Sequence, residues 1–303
     1  MDCSNEVGAR YMLMEYIHGT TASELRRIKS CKPSTYGTSE QDRKFREQMA
    51  KIQAEVLLCR FQKIGSLYYS KETSDFYIGP DVEMGKGPWT SSMDYYLDLA
   101  DHLIKKTAAR FGEETKQSPS FALPTLFNFL MSMLSEERTG PFRLINRDFG
   151  AHNILVNDDF DIVGVVDFDG VMAAPMEVVS QYPVLSCLEV EPPGHVETNP
   201  FAIEWIKQTE PQLARYKGLL MKYEAELGDG SAPVASRLGT TPAMLFQGMI
   251  CYAICLWNEN DKWWASGLKI LGEYAKNNTA DELQGSRTKA TEMGETENLQ
   301  CEK

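Results

Sequence analysis

The sequence predicts an α+β fold, a mostly helical body built around one small β-hairpin. Three observations carry this. Residues 39–64 place apolar side chains at helical spacing, with charged residues on the opposite face, and 93–111 and 118–135 read as two further amphipathic helices. Two short apolar runs, Ile154-Leu155-Val156 and Ile162-Val163-Gly164-Val165-Val166, flank Asn157-Asp158-Asp159-Phe160-Asp161, whose polar chemistry closes a hairpin. The 303 residues are 43% hydrophobic with mixed charge, a globular composition long enough for one large domain or two small ones.

Taken in order, Tyr11-Met12-Leu13-Met14-Glu15-Tyr16-Ile17 is an apolar run of strand length. His18-Gly19-Thr20-Thr21 breaks it, and Thr21 or Ser23 is placed to cap a following helix. The helix expected over 39–64 starts near Ser39-Glu40-Gln41-Asp42, close to the capping-box pattern. Gly65-Ser66-Leu67-Tyr68-Tyr69 ends it, and Phe76-Tyr77-Ile78 is a short strand stopped by Gly79-Pro80. This Tyr- and Gly-rich stretch reads as an irregular hairpin with no assigned chemistry. Met93–Phe111 and Ser118–Ser135 are helices joined by the polar Gly112–Lys116, with Pro124 tolerated in the first turns of the second. His102 reads as a surface or partly buried helical residue. Pro-rich Glu189–His195 is an exposed connection or the rim of a pocket. Asn199–Leu227 is a long charged helix that Pro211 breaks or restarts, closed by Gly228-Asp229-Gly230. Thr240-Thr241-Pro242 caps an apolar, buried helix, Ala243–Trp257, and Asp261–Lys276 follows. Beyond Asn277 large apolar residues almost vanish, too few to offset the entropy of ordering. The expected organisation is therefore one unit over 1–277 and a disordered acidic tail over 278–303.

The chemistry concentrates between Phe142 and Ala173. An apolar run containing Phe142, Leu144 and Ile145 delivers Asn146-Arg147-Asp148, and Asn153 follows Asp148 by five residues. The second hairpin strand ends in Asp167-Phe168-Asp169-Gly170. Asp148, Asn153 and Asp167 are thus expected at the same end of one small sheet. Phosphoryl transfer from ATP requires that layout: one carboxylate takes the proton of the acceptor hydroxyl, while an amide and a second carboxylate hold magnesium on the phosphates. The competing reading makes these Asp and Asn residues ordinary turn formers, with Asp148 a cap for backbone N–H groups.

The stretch resembles the catalytic loop and metal-binding segment of the aminoglycoside phosphotransferase family, relatives of choline kinases and protein kinases. The family pattern is His-x-Asp-x-x-x-x-Asn, an apolar hairpin, then Ile/Val-Asp-Phe/Trp. The resemblance implies a protein-kinase-like fold, Asp148 as catalytic base, and Asn153 and Asp167 as ligands of Mg²⁺. It also implies ATP as donor and a hydroxyl of a small molecule as acceptor. The sequence departs from the pattern at Asn146, where the family has a histidine that orients the loop. Asp148-Phe149-Gly150 spells the metal-binding tripeptide of protein kinases, but residues 121–138 upstream are a helical run without a catalytic loop, so Asp167 fills that role better. Leu13–Ile17 resembles the family's hinge, which implies that backbone groups around Glu15, Tyr16 and Ile17 hydrogen-bond the adenine ring. Only ten residues precede that strand, leaving no place for a glycine-rich loop or a phosphate-gripping lysine. The chain is therefore expected to be a kinase-like C-lobe, with the N-lobe absent apart from the hinge strand. Residues 63–80 with Trp89 resemble a segment of fungal members, and Pro175–Pro183 resembles the post-metal segment, in which a proline begins a short helix. Two functions follow. One is an ATP/Mg-dependent phosphotransferase, truncated and impaired; the other is a non-catalytic pseudoenzyme or a remnant.

A net charge of −12 argues against nucleic acid, whose phosphates need a basic surface. No run of about twenty apolar residues predicts a membrane span, and Met1–Glu6 lacks the regions of a signal peptide. Seven scattered cysteines fit a reduced, cytoplasmic protein, with Cys251 and Cys255 as buried hydrophobes rather than metal ligands. Asn277-Asn278-Thr279 fits the glycosylation triplet without carrying information in that compartment. Trp263 and Trp264 belong to the core or form an aromatic wall for a quaternary ammonium; neighbours on a helix point to different sides, which favours the core. No motif names the acceptor or the oligomeric state.

Overall fold

The computed structural model describes residues 6, 8, 15–111, 123–135, 138–191, 200–228, 233–254 and 260–277. Tyr11–Met14 of the expected hinge strand, Gly112–Lys116, Pro192–His195, Asp229-Gly230, Cys255 and the 278–303 tail lie outside them, as do the side chains of Cys251, Trp263 and Trp264.

The chain begins with β1 (Thr20–Thr21), α1 (Ala22–Ile28) and α2 (Ser39–Leu57). Thr21 caps α1, its Oγ1 accepting from the Glu24 N–H. The expected strand reaching Ile17 is not seen over Glu15–Gly19, which are exposed and outside any strand. Extended pairing falls instead on Thr20 and Thr21, expected to break the strand, because they align with Val156 and Leu155. At Thr38 a full capping box starts α2, the Thr38 side chain accepting from the Gln41 N–H and the Gln41 side chain from the Thr38 N–H.

The helix stops at Leu57, not at residue 64 as its spacing suggests. Sheet pairing claims the following backbone: β2 (Arg60–Phe61) aligns with Arg143 and Phe142, and the Leu144 N–H donates to Cys59 O at 3.0 Å. Then come β3 (Gly65–Ser70) and β4 (Asp75–Ile78), a regular hairpin in four-residue register rather than an irregular one. Helices α3 (Ser92–Phe111) and α4 (Leu123–Leu134) lead into β5 (Phe142–Asn146), β6 (Ile154–Val156), β7 (Ile162–Val165) and β8 (Val171–Ala174). A short α5 (Met176–Val179) follows with Pro175 at its N-cap. The remainder is helical: α6 (Pro200–Leu227), a 3₁₀ turn at Val234–Arg237, α7 (Thr241–Ile254) and α8 (Asn260–Asn277). Pro211 neither breaks nor restarts α6, which runs through it. Nearby, Thr209 Oγ1 donates back to Trp205 O at 3.2 Å.

The strands form two sheets, β1-β6-β7 and β2-β5-β8-β3-β4. This corrects the expectation of one small sheet for all three candidate groups. The strand delivering Asp148 is β5, which pairs with β8 through Arg143↔Ala174 to Asn146↔Val171, whereas Asn153 and Asp167 flank β6 and β7. The loop between β5 and β6 therefore joins the two sheets.

Two apolar clusters hold the sheets. The larger gathers Phe127, Leu130, Met131, Phe142, Met172 and Val179 beneath the larger sheet. The smaller packs Tyr36, Phe45 and Met49 against Ile154, Val156 and Phe160 of the hairpin. Helix α2 serves both, with Phe45, Met49 and Ala50 in the smaller cluster and Ala54 and Leu57 in the larger. None of the described helices is long and apolar enough to cross a membrane.

Candidate active site

Where β5 ends, the chain turns sharply through Arg147–Gly150, closed by Phe149 N–H to Asn146 O and Asn153 N–H to Gly150 O, the latter at 2.9 Å. The Asp148 side chain stands 53% exposed at this turn. Its Oδ2 accepts from Asn153 Nδ2 at 2.9 Å, and its carbonyl accepts from the same nitrogen at 3.1 Å. Its Oδ1 lies 2.9 Å from His152 Nε2. The carboxylate's partners are thus side chains, not the backbone N–H groups that a capping role would supply.

Asn153 is buried, and its amide nitrogen is fully committed to Asp148. The end left over is Oδ1, the kind of hard oxygen that magnesium takes. The Asn153 carbonyl accepts from the Val166 N–H at 3.0 Å, which fixes the residue just before Asp167. Asp167 itself is exposed and has φ +62. Among non-glycine residues Asp is one of the few that adopt this left-handed backbone readily.

Asn146 locks the two halves together. Its Oδ1 accepts from the Asp148 N–H at 3.0 Å, and its Nδ2 donates to Asp167 O at 3.1 Å. The amide thus orients the loop at the position of the family's histidine. Gly170 permits the close approach: a Cβ there would sit 3.2 Å from Asn146 Oδ1 and 3.4 Å from the Asp148 nitrogen. The three expected site residues are therefore joined through one hydrogen-bonded frame, although they come from two sheets.

Among the described residues, no three His, Cys, Asp or Glu side chains converge on a point that would hold a metal ion. A nucleotide-bound magnesium needs no such cage, because phosphate oxygens and water complete its octahedron. The Asn153 Oδ1 and the Asp167 carboxylate suit that partial role. Of the expected adenine contacts, Ile17 lies against the hairpin: a Cβ at Gly164 of β7 would meet Ile17 Cδ1 at 3.0 Å, and one at neighbouring Gly19 would meet Val163 Cγ2 at 2.8 Å, while Glu15 and Tyr16 are exposed. A cavity of about 80 Å³ lies under the loop, bordered by Asn146, Arg147 and Phe149 but not by Asp148, Asn153 or Asp167.

A family model described as the phosphotransferase enzyme family matches residues 3–178. The chain belongs to that family. No curated protein and no solved structure matches it. The match runs through both sheets, the β5–β6 loop and the hairpin, and ends within α5. The observed α+β architecture agrees with the kinase-like fold that membership in the phosphotransferase family implies.

Two features of the candidate site escaped the sequence reading. His152 contacts Asp148 from four residues on, a spacing that brings side chains together on any helical turn and was the available signal. Arg147 reaches Asp81, 3.6 Å away, in the segment after β4. No local pattern announces that contact.

Proposed function

We infer that this phosphotransferase transfers a phosphoryl group from ATP, with magnesium, to a hydroxyl of a small molecule. The observation that carries the reading is the Asp148–Asn153 pair, in which an exposed carboxylate is held by an amide whose oxygen is left free. Asp148 acts as the general base: it accepts the acceptor hydroxyl's proton as that oxygen attacks the terminal phosphorus. Asn153 and Asp167 hold the magnesium ion, which when bound neutralises charge on the phosphates. Backbone groups around Glu15, Tyr16 and Ile17 contact the adenine ring. The net charge of −12 turns nucleic acid away as acceptor. Free thiols at Cys31, Cys59 and Cys187 suit a cytoplasmic setting.

Thermal melts test this. A ligand at about 100 times its dissociation constant adds about 2.7 kcal/mol to the native state. Mg-ATP should raise the wild-type midpoint accordingly, and Asp167→Asn should erase the rise while leaving the ligand-free midpoint near wild type. A wild-type protein unmoved by millimolar Mg-ATP would not be the enzyme described.

A further inference from the structure

Asp81 is a buried acid whose two oxygens have different duties. Its side chain is 0% exposed. Oδ1 accepts from the Glu83 and Met84 N–H groups at 3.0 and 2.8 Å, while the backbone N–H donates to Lys86 O at 2.8 Å. Those bonds build the turn that follows the β3–β4 hairpin. Oδ2 takes no part in them. It has no hydrogen-bond partner, and Arg147 Nη2, 3.6 Å away, faces it. Next to them Tyr95 is fully buried, its hydroxyl also without a hydrogen-bond partner. Burial raises the Tyr95 pKa, and the charge of Arg147 is the main influence opposing that rise. A guanidinium therefore stands among buried oxygens short of donors, where an uncompensated charge is costly.

Arg147 is also bound to the site. It sits between Asn146 and Asp148, and its N–H donates to Gly170 O at 3.2 Å, on the segment that carries Asp167. Its backbone thus belongs to the frame around the candidate base, and its side chain to the turn after β4. We propose that Asp81 and Arg147 form a positioning pair that sets the placement of Asp148 by clamping the β5–β6 loop to the turn after the β3–β4 hairpin. The pair touches no reacting atom; it acts through the loop. The proposal rests on the reading of Asp148 and Asn153 given above and adds the device that orients them.

The side-chain amide of Asn153 reports the loop's geometry, because its nitrogen is bound to Asp148. In ¹⁵N-labelled protein of all 303 residues its two proton signals can be assigned by their loss in Asn153→Asp. Asp81→Asn keeps the oxygen that builds the turn and removes the charge facing Arg147. At a temperature well below its melting point it should shift or broaden the Asn153 amide signals. Asp98→Asn, which disturbs the nearby Trp89 and Lys86 contacts, should not. A purely structural role would lower the melting temperature and leave those signals in place. Arg147→Met probes the pair from its more exposed end and serves if Asp81→Asn fails to fold; Arg147→Lys, which keeps the charge, should restore the signals in part. In a protein that binds Mg-ATP, Arg147→Met should weaken that binding about 10-fold, as loss of an orienting partner does at metal sites. Asn153 signals coincident with wild type in both Asp81→Asn and Arg147→Met would overturn the proposal. The amide reading needs no nucleotide, so a wild-type protein that ignores Mg-ATP would count against the assigned function and not against the clamp.

Discussion

At position 146 a buried amide donates to the Asp167 carbonyl with one end and accepts from the Asp148 N–H with the other. Both ends are needed, and in that polarity. Removing the side chain strands a donor and an acceptor in a poorly hydrated place, so Asn146→Ala should cost about 1–3 kcal/mol in urea unfolding. Asn146→Asp keeps the shape but offers only acceptors, and it adds charge between two carboxylates. It should be the worse of the two, a ranking that a simple volume effect would reverse. Asp148, Asn153 and Asp167 stood out in the sequence as candidates because they bracket two short apolar runs joined by a polar turn, a local pattern. The bracing by Asn146 and the Arg147–Asp81 contact did not, since each depends on which strand lies beside β5. Pairing between distant strands leaves no trace in a single sequence.

Among the elements, the β6–β7 hairpin lies between Asn153 and Asp167 of the candidate site and is itself held from beneath. Phe160, in its turn, is fully buried with φ +61, and its ring lies 6.3 Å from Tyr36 and 6.4 Å from Phe45. Asn157 Oδ1 closes the turn above it, accepting from the Asp159 and Asp161 N–H groups at 3.0 and 2.9 Å. Phe160→Ala should cost about 3–5 kcal/mol, measured by chemical denaturation. Helix α2 was readable at its start, where the capping box is local, and not at its end, where pairing with β5 overrides the helical pattern. On the face toward α6, Glu47 accepts from Lys222 and Tyr223 at 3.1 and 3.0 Å. Those bonds hold its pKa below the ordinary 4.5, the Lys222 bond foremost. A lowered carboxylate pKa adds stability that is complete above the unfolded value and is lost as pH falls through the folded one. Glu47→Gln should therefore flatten the decline in melting temperature below about pH 4.5 and change its slope little near neutrality. An unchanged acid limb would show that this contact contributes nothing.

On the scale of the whole molecule the two apolar clusters share more than a boundary. Tyr182 and Tyr223 pack against both, and α2 feeds side chains into each. The mixed helical and sheet composition was plain from periodicity; that the core divides in two, with α2 and α6 common to both parts, was not, because periodicity gives a buried face without naming its partner. The sharing predicts one cooperative transition. Calorimetric and van't Hoff enthalpies of unfolding should agree, and two resolved heat-absorption peaks would contradict the sharing of these helices. Mechanically, α2 is a beam clamped at both ends. Its 19 residues span about 28 Å. Under tension each cluster loads the other through this strut, so neither can yield first and leave its neighbour intact. A single molecule stretched between optical traps should lengthen in one abrupt step.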